Sequence, residues 1–302
     1  MPDPVIPPVR LKFWGVRGSV PAPGPTTASI GGNTACVELR ADGELIILDA
    51  GTGIRPLGLA LDAESKGAPL DLTLLLSHTH WDHIQGFPFF QPAYAAQNCL
   101  RILGCPPPKK SLGEALCGQM ESTYFPVPMA ELSAQITITE ITTPEFSIGR
   151  VGIRAARVNH PGAALGYRLQ TSRGVIVYIP DCEPAGWNAE PALPRPDVDG
   201  SFTDATGPGL LEFVRGADVL IFDSQYDHGE YAGRIGWGHA CIDDTVDLAT
   251  AANARRLYLF HHDPRHSDAR VQQMLAGARH RAAEAGSPLQ IEVAREELEV
   301  SF

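Results

Sequence analysis

Positive charge is scarce in this sequence. Its 302 residues carry 24 Lys and Arg against 35 Asp and Glu, a formal net charge of −11. That balance disfavours general attraction to nucleic acid or to an anionic membrane face, though it leaves room for a local basic pocket. Long apolar runs are also missing. No stretch could span a bilayer, and the opening MPDPVIPPVRLKFW has no apolar segment resembling a signal peptide. None of the six cysteines (Cys36, Cys99, Cys105, Cys117, Cys182, Cys241) forms a CxxC pair. They read as reduced thiols, mostly small core residues, and the expected location is cytoplasmic. There is no internal repeat and no segment that clearly divides the chain. With 44% hydrophobic and 20% charged residues the composition is ordinary for a folded protein. The expectation is a proline-rich tail over 1–8 and one domain over 9–302, with a homo-oligomer left open.

Apolar runs and turn residues lay out the elements. Strands are expected near 9–14, 34–40 and 44–49, with Asp42-Gly43 as a hairpin turn between the last two. Residues 54–65 read as a helix and 72–77 as a buried strand. Further strands are expected at 100–104, 136–141, 151–158, 166–170, 175–179, 219–222 and 257–260. Helices are expected at 111–120, 242–252 and 271–285, and β character returns over 289–302. Residues 182–208 lack periodicity and read as a loop or lid. Strand clusters alternating with single helices in both halves suggest two packed sheets with helices outside, a four-layer αββα sandwich of the α/β class.

The most informative stretch is LLLSHTHWDH, residues 74–83. An apolar strand stops, and His78, His80, Asp82 and His83 follow within six positions. An extended backbone aims His78 and His80 the same way, so their imidazoles converge on one point, as a borderline metal such as zinc requires. Four donors so close are hard to fit around one tetrahedral ion, and two adjacent metal sites make better sense. The same pattern of an apolar strand ending in a ligand-type residue recurs at Asn159-His160, Pro180-Asp181 and His261-His262-Asp263. Rigid strand ends are where a preorganised site belongs.

HTHWDH resembles the HxHxDH signature of the metallo-β-lactamase superfamily, and His160, Asp181 and His261 fall in the order that superfamily uses. The resemblance spans roughly 10–302. It implies a hydrolase with two divalent metal ions, zinc first, with manganese or iron as alternatives. It also implies that His78, His80 and His160 hold one ion, that Asp82, His83 and His261 hold the other, and that Asp181 bridges them. Asp49 in LDAGTG matches an early Asp that supports the site from behind. His261 is preferred to His262 by alternation along the strand.

Two more stretches are similar to the ribonuclease Z and phosphoribosyl cyclic phosphodiesterase branch. These are 220–226, with Asp223 at a strand end, and Gly238-His239-Ala240, where Ala240 replaces the usual Ser. The resemblance implies that His239, steadied by Asp223, faces the scissile phosphate as a catalytic pair alongside Asp181. FWGVRGSVPAPG and Tyr124-Phe125-Pro126-Val127 look like the same branch and make Arg17, Asn33 and Tyr124 candidate substrate contacts. The segment EPAGWNAEPALPRPDVDGSF has a single Arg, unlike the basic arm of tRNA-processing relatives. The expected substrate is therefore a small phosphodiester, cyclic forms included, with neither membrane nor nucleic acid as partner. Residues 183–208 are a candidate lid. The alternatives are a carboxyl-ester or lactone hydrolase at the same metals, a tRNA 3′-processing endonuclease, and a non-catalytic metal-dependent sensor.

Overall fold

Alternation along the strands decides the architecture. In β3 (Glu44–Leu48), Ile46 and Leu48 enter one apolar cluster and Ile47 enters another on the opposite face. A strand buried on both faces must lie inside a layered stack. The computed structural model describes residues 8–188 and 204–302. Residues 1–7 of the expected tail and 189–203 of the candidate lid lie outside the described residues.

Two seven-stranded sheets are seen among the described residues. The first contains β1 (Arg10–Gly15), β2 (Cys36–Ala41), β3, β4 (Asp71–Leu75), β5 (Cys99–Gly104) and β6 (Gln135–Glu140). The second contains β7 (Glu145–Ile148), β8 (Val151–Arg157), β9 (Leu165–Thr171), β10 (Gly174–Ile179), β11 (Val219–Asp223), β12 (Arg256–Phe260) and β13 (Gln290–Val293). The chain then returns as β14 (Glu299–Ser301), on the outer side of β1. The sheets share one plan. Across each, three antiparallel pairings are followed by three parallel ones. No sequence repeat announces this duplicated topology.

Helices cover the outer faces. α1 (Ile54–Ser65) buries Ile54, Leu57 and Leu61 against the first sheet, where α3 (Leu112–Gly118) adds Leu112 and Leu116. Between them in sequence lies α2 (Trp81–Ile84), a single turn. On the second sheet, α4 (Pro208–Val214), α6 (Ile242–Ala251) and α7 (Asp268–Glu284) contribute Phe213, Val246 and Met274. The one-turn α5 (His228–Tyr231) precedes α6. Each fully buried Leu, Ile or Phe contributes roughly 1.5–3 kcal/mol of transfer free energy. The result is the four-layer αββα sandwich that the strand pattern suggests. The Asp42-Gly43 turn forms as expected, with φ of 55° and 95° at its two residues, the left-handed pair that a tight hairpin between twisted strands demands. No helix among the described residues is long and apolar enough to cross a membrane.

β8, β10, β11 and β12 all point the same way, and so do β3 and β4. The loops leaving their C-terminal ends carry every histidine and aspartate singled out above as a metal ligand.

Candidate metal centre

His78, His80 and His160 each place a ring nitrogen within 4.8 Å of the others. Asp82, His83, Asp181 and His261 form a second group on the same criterion. Asp181 lies between them. Its Oδ1 is 3.0 Å from His83 Nε2 and 3.2 Å from His261 Nε2, while Oδ2 is 3.8 Å from His78 Nε2 and 3.7 Å from His160 Nε2. Asp82 Oδ2 joins the second group at 3.3 Å from His83 Nε2 and 3.1 Å from His261 Nε2. All seven residues named from sequence as metal ligands are thus brought together. His262 is not; its Nε2 lies 3.0 Å from the Ala294 carbonyl, on the far side of the strand end.

Outer partners fix which ring nitrogen faces the centre. His83 Nδ1 meets Asp49 at 2.9 Å, His160 Nδ1 meets the Gly238 carbonyl at 2.9 Å, and His261 Nδ1 meets Gln225 Oε1 at 3.2 Å. With each Nδ1 donating, a neutral imidazole turns the lone pair of Nε2 inward. Asp49 also accepts from Ser77 N–H and O–H and from the Tyr178 hydroxyl, at 2.7–2.8 Å. It is fully buried and held at φ 61°. His261 sits at φ 59°, so two residues of the centre occupy backbone conformations that disfavour side chains.

Lone pairs and carboxylate oxygens facing one another inside a protein call for a cation. His78 Nε2, His83 Nε2 and Asp181 Oδ1 are buried and have no hydrogen-bond partner among the described residues. Burial, with neighbouring imidazoles, holds His78, His80 and His160 below the ordinary histidine value, so they favour the neutral ligand form. Burial pushes Asp82 and Asp181 upward, but the surrounding histidines outweigh it and keep both well below the usual carboxylate range. At His83 burial opposes charge, yet Asp181, Asp82 and Asp49 raise it well above its ordinary value. A divalent ion would answer the same excess of negative charge. The donor set, imidazole nitrogens and carboxylate oxygens without thiolate, suits zinc, manganese or iron.

His239 lies on the rim. Its Nδ1 is 2.9 Å from Asp223 Oδ2, and its ring stacks on His261 with centroids 5.0 Å apart. Burial works to lower its pKa, but Asp223, Asp181 and Asp82 raise it to about 9. Asp223 is itself fixed by the Cys182 and Gln225 backbone amides.

Four supporting residues, Gln225 above among them, are given no role by the sequence reading. Gly18 lets the N-terminal loop press on the centre, since a Cβ there would lie 2.4 Å from the His261 ring, and the next amide, Ser19 N–H, donates to Asp82 at 2.7 Å. Gly238, at φ 85°, passes so near His160 that a Cβ would meet its Nδ1 at 2.6 Å. Glu183, two residues after Asp181, is buried and accepts from Gly236 N–H, Gly238 N–H and the Tyr231 hydroxyl. It ties down the loop that supplies both His239 and the carbonyl orienting His160. Glu183→Ala should therefore cut turnover about 10–100-fold, the range found for groups that orient ligands. Zinc affinity should fall with it; unchanged values of both would show that the loop holds its place unaided. Gln225 and Glu183 carried no sequence signal beyond nearness to a strand end.

The candidate substrate contacts separate. Arg17 is fully buried, donating to the Gly31 and His266 carbonyls at 2.7 and 2.8 Å, and Asn33 is occupied by Glu296. Both hold loops together and neither meets the centre. Tyr124 is 74% exposed beside a cleft that adjoins it. The cavity over the centre, about 440 Å³, is lined by Ser19, Thr79, His80, Trp81, Asp82, Asp181 and His239.

Comparison with known proteins gives the following. Residues 45–262 match the family model described as beta-lactamase superfamily domain. Ribonuclease Z of Thermoplasma acidophilum is 25% identical over 295 residues, covering 87% of this chain and 89% of that one. Among solved structures, a diphosphatase from the PhnP family superposes with a TM-score of 0.65 at 17% identity, covering 97% of this chain and 98% of that one. The short form of human tRNase Z gives 0.62 at 17% identity, covering 96% and 98%.

Proposed function

Because the chain belongs to the beta-lactamase superfamily and its relatives include enzymes named ribonuclease Z, we propose that it is a dinuclear metal-dependent phosphodiesterase acting on a small phosphodiester. One observation carries this reading: the His239–Asp223 pair stands at the rim of the seven-donor cluster, within reach of a group that the cluster would hold. Ester or lactone hydrolysis expels an alkoxide too, so the substrate comparison below separates that reading from this one.

His78, His80 and His160 would hold one ion and Asp82, His83 and His261 the other, with Asp181 available to both groups. When bound, the two ions acidify a water towards neutrality and neutralise charge on phosphoryl oxygens. Asp49, Gly238 and Gln225 keep the ligand nitrogens aimed inward. His239 holds a proton on Nε2 while its Nδ1–H remains bonded to Asp223. It gives that Nε2 proton to the departing alkoxide and stabilises the charge developing there. Asp223 orients the ring and supports its positive charge.

The relatives named ribonuclease Z favour a second reading, cleavage of RNA, and they stand against the expectation that nucleic acid is no partner. The net charge of −11 argues for the smaller substrate.

The deciding experiment compares bis(p-nitrophenyl) phosphate, a lactone and a 3′-extended tRNA precursor, using protein reconstituted with zinc or manganese and a chelated control. Diester cleavage that chelation reduces to background, with the lactone untouched, is the expected result. Lactone cleavage without diester cleavage would sink the proposal. Efficient, accurate trimming of the precursor would replace the small substrate by RNA.

A further inference from the structure

His228, Cys241 and Asp243 form a donor group that the metal centre does not use. A ring nitrogen, a sulfur and a carboxylate oxygen lie within 4.8 Å of one another, the same closeness that unites each half of the centre. The fold supplies the reason. Tyr226 and Cys241 meet in a parallel β-bridge, with Tyr226 N–H on the Ala240 carbonyl at 3.1 Å and Ile242 N–H on the Tyr226 carbonyl at 2.8 Å. That bridge sets the start of α5, which opens on His228, beside the first turn of α6, which holds Asp243.

Cys241 precedes α6 as its N-cap and is 2% exposed, yet its side chain makes no capping hydrogen bond. A buried cysteine is ordinarily an inert core residue among apolar neighbours. This one has a carboxylate and an imidazole within reach instead. Burial, with the carboxylates of Asp243 and Asp244, pushes its thiol up to about 11. Burial, with Asp247 and Asp243, also raises Asp244. The nearby cation, Arg281, spends Nε and Nη2 on Asp247 and reaches Asp243 only at 3.7 Å. A metal ion would displace the thiol proton and balance the charge gathered here.

We propose that His228, Cys241 and Asp243 hold a zinc ion, separate from the centre, that clasps together the two ends of segment 228–241. Thiolate with imidazole and carboxylate suits zinc, whereas manganese prefers oxygen donors. Three protein donors leave the fourth tetrahedral position to water. Zinc bonds of about 2.0–2.3 Å hold ligand atoms roughly 3.3–3.8 Å apart, so the group closes by about 1 Å on binding. The exposed side chain of His228 supplies that movement and the path of entry. Between the clasped ends lie Tyr231, which donates to Glu183, and His239, which pairs with Asp223. The ion would therefore steady the segment that carries His239, whatever the substrate.

The test loads the metal-free chain with zinc, manganese or cobalt and dialyses away the excess, for wild type, Cys241→Ser, His228→Ala and Cys182→Ser. By mass spectrometry wild type should keep about one more zinc than manganese per chain, the difference expected when only one of the two metals accepts a thiolate. Cys241→Ser and His228→Ala should keep equal numbers of the two. Cobalt-loaded wild type should show sulfur-to-metal charge-transfer absorption, which the donor groups around Asp181, without thiolate, cannot produce. That absorption should vanish in Cys241→Ser, weaken in His228→Ala and persist in Cys182→Ser, whose sulfur adjoins Asp181. His228 is exposed, so its removal guards against Cys241→Ser disturbing the fold. Amide exchange across 228–241 should slow when zinc replaces manganese in wild type and not in Cys241→Ser. Equal zinc and manganese counts in wild type, absent charge-transfer absorption, or absorption that survives Cys241→Ser overturns the site. Exchange that slows equally in both proteins, or in neither, overturns the clasp.

Discussion

Asp181→Asn is expected to lower diester turnover by more than about 100-fold, beyond the range for groups that only orient ligands. It should weaken both metal sites at once. The two oxygens of Asp181 face different partners: Oδ1 lies with His83 and His261, Oδ2 with His78 and His160. Asn keeps the size of the side chain and removes its charge, so packing is held constant while the electrostatic link is cut. The residue is 2% exposed, and water cannot take over its role. Ligand binding to the folded state stabilises it by about 2.7 kcal/mol when free ligand exceeds Kd a hundredfold. Zinc should therefore raise the melting temperature of the wild type clearly and that of Asp181→Asn little. Metal per protein after dialysis, measured by mass spectrometry, gives the independent count. A variant that keeps two ions and most of its turnover would show that Asp181 does not bridge.

The reason so much of this centre can be read from sequence is that its donors follow strands. A strand ending in His or Asp places that residue at a sheet edge, and parallel strands bring their edges together. His160 after β8, Asp181 after β10, Asp223 at the end of β11 and His261 after β12 meet for that reason. The choice between His261 and His262 shows the limit. Alternation favours His261, and only the fold shows His262 turned to Ala294. Residues that act through backbone contact leave almost no trace. Gly18 and Gly238 matter for the Cβ they lack, and Glu183 works on amides some fifty residues away. The fold was less legible where elements are short or where a helix begins on turn residues. β7, four residues at a sheet edge, was not expected. Gly207-Pro208 closes the stretch read as a loop or lid over 182–208, yet Pro at the first helical position starts α4. The β character near the C-terminus was expected, but nothing local tells β13 to join the second sheet and β14 the first.

His239→Ala is expected to separate leaving-group chemistry from metal binding. If His239 protonates the departing oxygen, its removal costs about 10²–10⁴-fold on a diester with an alkyl leaving group, the usual worth of a positioned acid. That corresponds to about 2.7–5.4 kcal/mol of barrier. A p-nitrophenyl ester should suffer far less, because p-nitrophenolate departs without a proton. Metal content should stay near that of the wild type: His239 can group with His160 and Asp181, but its Nδ1 is taken by Asp223 at 2.9 Å and the seven-residue donor set is complete without it. Asp223→Ala should show the same leaving-group dependence in weaker form, because the ring stays but loses the partner 2.9 Å from Nδ1. The double variant then carries the argument. Two residues acting as one unit give losses that do not add, so removing Asp223 from the His239→Ala protein should cost little more on the alkyl diester. Equal losses on both leaving groups would mean transition-state charge stabilisation without proton transfer. Loss of metal in parallel with activity would move His239 out of the chemistry and into the support of the centre.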